Sequence, residues 1–127
     1  MFVDPDGLIE SFEWGKFMID GVVHGADGEG VGKDICIVDG QVTAWSARQG
    51  HRLTPEMVDC ALRSGVKVLV IGNGVYGRLQ VPRKTKAVVT EAGIEKLIIE
   101  RTHKACEIFN QRFRKGEPVA FLGHGTC

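Results

Sequence analysis

Apolar positions in this chain come in short runs whose spacing changes part-way along. Up to residue 45 the runs are four or five residues long, rich in β-branched and aromatic side chains, and cut by glycine. Residues 8–14, with Ile9, Phe12 and Trp14, and residues 16–23 read as two short strands meeting at a turn near Gly15. Residues 34–38 form a third strand. Asp39-Gly40 is a strong hairpin signal, and residues 41–45 return. Between these hairpins, residues 24–32 contain four glycines in nine positions and are expected to be a mobile surface loop without regular structure. Asp4-Pro5-Asp6-Gly7 marks residues 1–7 as a turn or a loose terminus. The first third is therefore antiparallel β.

From Thr54 onward the pattern alternates between helical and strand periods. Thr54-Pro55-Glu56 starts a helix whose apolar face is Met57, Val58, Ala61 and Leu62, with Gly65 as its stop. Residues 66–71 are a continuous apolar run, the mark of a buried strand, and break into Gly72-Asn73-Gly74-Val75-Tyr76-Gly77. After a short extended piece at 78–81, Pro82 opens a second helix that ends near Ala92-Gly93. Residues 94–99 are a strand, and Thr102 is expected to cap a third helix with Ala105, Cys106, Phe109 and Phe113 on one face. Gly116 stops that helix and residues 118–122 are the last strand. Strands alternating with helices predict at least one right-handed βαβ unit, so the fold class is α/β with an antiparallel contribution from the first third. Crossover logic makes the last strand parallel; a mixed sheet fits as well. No repeat or linker divides residues 1–127, which read as one domain.

Composition adds mainly exclusions. The formal net charge is +0, so no broad field attracts nucleic acid or an anionic membrane. Arg78, Arg83, Lys84 and Lys86 cluster, as do Arg112, Arg114 and Lys115; solvated helix faces account for both groups. No apolar stretch reaches membrane-spanning length. Cys36, Cys60, Cys106 and Cys127 are widely spaced with no Cys-x-x-Cys, which speaks against structural zinc and for reduced thiols in a cytoplasmic protein without a signal peptide.

The candidate chemistry gathers at the carboxyl ends of the later strands. Gly72 to Gly77 match a dinucleotide-binding fingerprint in letters, but the next helix starts at Pro82, too late for its amino end to face a pyrophosphate. No cofactor is expected. A backbone-amide seat for a small anion is the better functional reading, formed by Gly72, Asn73, Gly74, Tyr76, Gly77 and Arg78, with Thr102 and His103 beside it. A purely structural turn is the alternative. His51 and His124 are further ligand-binding candidates. His124 near Cys127 suggests a thiolate pair, although a nucleophile so close to the end of the sequence is poorly held. The histidines His24, His51, His103 and His124 lack metal-ligand spacing, so no metal is expected.

Several of these residues recur together in order: Trp45, Gly50-His51, Tyr76-Gly77-Arg78, Gly93-Ile94, Ala105, Asn110 and the closing His124-Gly125-Thr126-Cys127. From residue 9 to residue 127 the set resembles a domain family of unknown function. Its members include the animal adipogenesis-associated domain-containing protein and a mitochondrial complex I (NADH dehydrogenase) assembly factor. The resemblance implies a three-layer α/β domain: a mixed central sheet, helices packed on it and an N-terminal antiparallel β-hairpin layer. It implies no established activity, cofactor or catalytic residue. This chain departs from the family pattern at Asn73, where threonine is usual, and at Thr102-His103-Lys104, where the family has a Thr-Pro-Glu type of helix start. Two functions follow as expectations. One is a non-catalytic module that binds a protein partner or aids assembly through an exposed apolar patch, with Phe2, Val3, Leu8, Phe12 and Trp14 as candidates. The other is a binder of, or enzyme acting on, a small anionic ligand at residues 72–78. A two-fold homodimer is the expected oligomer.

Overall fold

The computed structural model describes residues 1–127. Two sheets share the chain. The first is an antiparallel meander of β1 (Phe2–Val3), β2 (Ile9–Glu13), β3 (Lys16–Ile19) and β4 (Val22–Gly25). The second has five strands in the order β6-β5-β9-β7-β8, comprising β5 (Asp34–Val38), β6 (Gln41–Ala44), β7 (Val68–Gly72), β8 (Lys96–Glu100) and β9 (Val119–His124). Here β8, β7 and β9 run parallel, while the β5–β6 hairpin is antiparallel and joins the sheet through β9. The last strand is thus parallel to β7 and antiparallel to β5, which makes the sheet mixed.

The sheet separates two cores. Alternate residues of the strands point to opposite faces. Ile35, Ile37, Val68, Val70, Val119 and Phe121 join Phe12 and Phe17 of the meander and Phe109 of helix α2 (Thr102–Arg114). On the other face Cys36, Leu69, Ile71, Ala120 and Leu122 pack with Val58 of a 3-10 helix (Pro55–Ala61) and Val89 of helix α1 (Arg83–Glu91). The layers are therefore meander plus α2, central sheet, and α1 plus the 3-10 helix.

Four expectations need correction. Residues 1–7 are not loose: β1 pairs with β2, the Asp4 amide donates to the Glu10 carbonyl at 2.8 Å, and the Asp4 carboxylate accepts from Arg114 and Asn110. Residues 16–23 are not one strand, because Asp20 and Gly21 both take positive φ and form a second hairpin turn. The glycine-rich stretch begins inside that hairpin: His24 and Gly25 end β4, and the His24 ring is buried. The element opening at Pro55 is a 3-10 helix, not an α-helix.

Candidate functional site

Gly72 is the last residue of β7 and is buried, so the loop proper starts at Asn73. A β-carbon at Gly72 would stand 3.0–3.2 Å from Thr102, so the missing side chain lets the start of α2 pack against the strand end. Thr102 is itself buried and is the first helical residue rather than a cap. Its hydroxyl accepts from the Gly74 amide at 2.9 Å and donates to the His124 carbonyl at 2.8 Å, bridging the loop and the end of β9.

Most of the amides expected to seat an anion are taken within the chain. Asn73 donates to the Glu100 carbonyl, Val75 to Thr126, Gly77 to Gly74 and Arg78 to Cys127, at 2.6–3.3 Å. The segment after β9 lies across the loop and supplies two of these acceptors. None of the molecule's three surface depressions is lined by a residue of 72–78. The amides of Asn73, Gly74, Gly77 and Arg78 are therefore not free for a ligand, because they are already paired. Gly72, Asn73, Gly74 and Gly77 shape the turn. Asn73 Oδ1 is buried in it without a partner.

What remains open at the loop is its outer rim. Tyr76 is 63% exposed and its ring lies 5.7 Å from that of Trp14, which is 52% exposed at the β2–β3 turn. Arg78 and Arg101 are exposed beside them, and the Arg101 side chain runs along Gly77. Of the other apolar-patch candidates, Phe12 is buried, Phe2 and Leu8 are half-buried and Val3 is exposed. His103 is half-buried with its ring 4.9 Å from Phe12, and burial lowers its pKa. It packs on Phe12 of the meander.

A second group of polar side chains forms where β5, β9 and the segment before the 3-10 helix meet. Register places Asp34 opposite His124, and cross-strand neighbours on one face touch. His124 Nδ1 lies 2.8 Å from Asp34 Oδ1, which also accepts the Gly125 amide at 3.1 Å. The other oxygen, Oδ2, accepts from Lys33 and Arg48, both at 3.0 Å. Burial alone would raise the Asp34 carboxyl. The hydrogen bonds from His124, Lys33 and Gly125 and the Arg48 charge outweigh it and hold the group well below the usual carboxylate range. A carboxylate accepts, so His124 donates from Nδ1. Its Nε2 is then left buried, in a residue 1% exposed, without a partner. His51 is held by its carbonyl, which accepts from the Gln80 amide at 2.8 Å, and its Nε2 lies 3.2 Å from Cys127 Sγ. The expected His124–Cys127 pair is thus replaced: Cys127 meets His51, and His124 meets Asp34. The His51 and His124 rings are 6.4 Å apart. Two of the four histidines fall elsewhere. His103 sits on Phe12, and His24 Nδ1 accepts the Val31 amide at 3.0 Å.

A family profile described as a protein of unknown function (DUF498/DUF598) matches residues 9–123. This chain belongs to that family. The fold recurs in solved structures. A conserved hypothetical protein of Pyrococcus horikoshii superposes with a TM-score of 0.79 at 25% identity, covering 94% of this chain and 98% of that one. A Bartonella henselae structure described as an outer membrane protein gives 0.77 at 21% identity, covering 95% and 96%. A Bordetella pertussis protein described as a Mth938-like domain gives 0.62 at 14% identity, covering 98% and 91%. No curated protein matches the chain at comparable significance. No helix of this protein is long and apolar enough to cross a membrane. Family membership and fold are what these comparisons carry; none brings a reaction or ligand with it.

Proposed function

We propose that the chain is a non-catalytic protein-binding module of the assembly type. The surface would be the Trp14–Tyr76 pair, and the occupant an acidic partner segment with an apolar anchor. The observation that carries this is two large aromatic rings, tilted against each other with centroids 5.7 Å apart and left in solvent at the tip of a hairpin and a loop. Tryptophan, tyrosine and arginine are the side chains that dominate binding energy in protein interfaces. The acidic preference follows from local charge. Glu13 faces Lys16 in the β2–β3 register and Glu100 has Lys104 nearby, whereas Arg78 and Arg101 take part in no ion pair. These two guanidiniums also absorb the small-anion reading, since most of the loop's amides are occupied. The four free cysteines suit a cytoplasmic setting.

Selection from a random displayed-peptide library tests the proposal with a defined probe. The intact protein should enrich acidic peptides with an aromatic or aliphatic anchor. Binding should shift Trp14 fluorescence to the blue, because Trp45, the other tryptophan, is already buried. Trp14→Ser and Tyr76→Ser should each lose the peptides, and Arg78→Glu with Arg101→Glu should abolish the acidic preference. Enriched peptides indifferent to all four substitutions would overturn it. A homodimer in sedimentation that Trp14→Ser dissolves would also overturn it, by giving the patch to a second copy of the chain.

A further inference from the structure

The geometry points to a transition-metal site formed by His51, His124 and Cys127. One ligand atom from each of these residues lies within 4.8 Å of the other two. Around a tetrahedral ion with nitrogen ligands at about 2.0–2.1 Å and sulfur at about 2.3 Å, donor atoms sit roughly 3.3–3.8 Å apart. The His51 Nε2 to Cys127 Sγ separation of 3.2 Å is close to that spacing.

The independent observation is His124 Nε2. A buried polar nitrogen without a partner costs stability unless something occupies it. Asp34 fixes which nitrogen this is, by taking Nδ1 for itself. The opposite edge of the ring faces the closing segment. A β-carbon placed on Gly74 would overlap the Cys127 carbonyl and stand 3.2 Å from His124 Cδ2, the atom bonded to Nε2. A carboxylate on the far nitrogen of a histidine is the usual outer support of a metal ligand, because it fixes the tautomer and aims the lone pair. Arg48, Lys33 and the Gly125 amide in turn fix Asp34.

The donor set selects the ion. Two imidazoles and one thiolate are borderline-soft and favour zinc over magnesium or calcium. Three protein ligands leave a fourth position for water or another donor, as in zinc sites that are not closed. His51 is exposed, so the ion can enter from solvent on that side. On binding, the Cys127 thiol loses its proton to solvent and gains a metal–sulfur bond; no oxidant or reductant is involved.

Cobalt(II) added to the full chain under reducing conditions provides the test. The expected result is one ion per chain, with thiolate-to-cobalt charge-transfer absorption and the intense visible bands of tetrahedral cobalt, displaced by zinc. Cys127→Ser should remove the charge-transfer band. His51→Gln, on an exposed residue that does not threaten folding, should weaken affinity by more than the roughly 10–100-fold that loss of an outer support costs. Cys60→Ser, which alters the half-buried thiol outside the cluster, should leave the spectrum unchanged. An absent charge-transfer band in the unaltered protein would overturn the proposal. So would a band that survives Cys127→Ser or disappears with Cys60→Ser.

Discussion

The side chain of Asn110 in α2 imitates a strand to Ile9 of β2: its Oδ1 accepts the Ile9 amide at 3.1 Å and its Nδ2 donates to the Ile9 carbonyl at 2.8 Å. The same Nδ2 reaches Asp4 at 3.0 Å. At this point β2 has a register irregularity, and one carboxamide satisfies both backbone groups that the ladder leaves over. It also clamps the meander to the helix, and so sets where Trp14 stands relative to the central sheet.

Asn110→Ala should therefore cost about 1–3 kcal/mol for each backbone group left buried without a partner, more than its small volume change suggests. Chemical denaturation measures the loss. Asn110→Asp should be worse than a near-isosteric change implies, because a carboxylate would face both the Ile9 carbonyl and Asp4. A loss below about 0.5 kcal/mol for either variant would show that solvent reaches Ile9.

The loop after β7 should depend on Gly74 through geometry rather than ligand contact. Its φ is 106°, a region that side chains rarely adopt, and a β-carbon would overlap the Cys127 carbonyl. Gly74→Ala should push the closing segment off the loop. Hydrogen exchange should then accelerate at Val75 and Arg78, whose amides donate to Thr126 and Cys127, and stay slow in β7. Unchanged protection at Val75 and Arg78 would mean the segment is not held by the loop.

Acid should destabilise the protein through His24. Burial lowers its pKa from the ordinary value of 6.5, and its Nδ1 accepts the Val31 amide, so the folded state keeps the ring neutral. The unfolded chain binds the proton more readily. The contribution is then fully present above pH 6.5 and is lost as the pH falls through the lower folded value. Midpoints of urea unfolding recorded from pH 7.5 down to pH 5 should fall, and His24→Gln should flatten that dependence. A His24→Gln profile parallel to that of the unaltered protein would remove His24 as the source.

Local signals predicted much of this architecture because they act over a few residues. Asp39-Gly40 forms its turn with φ of 52° and 74°, as the dipeptide predicts. Pro82 stands immediately before α1, and the apolar run after Val66 is a strand buried on both faces. Other features were misread for a matching reason. Thr102 looks like a cap in sequence, but tertiary packing turns its hydroxyl toward two distant backbone groups. Residues 24–32 look structureless from their glycines. Yet Gly30, at φ 55°, leaves room for the His24 ring, which a β-carbon there would strike.

By itself the sequence determined the alternation of strands and helices, the turns, and the family, since propensity, glycine freedom and ordered motifs lie along the chain. Tertiary structure decided which groups meet. It closed the Val75 and Arg78 amides with the segment that follows β9, left Trp14 and Tyr76 side by side in solvent, and brought His51 to Cys127 across 76 positions and Asp34 to His124 across 90. The physical reason is that strand order and register place residues side by side at distances that sequence separation does not encode.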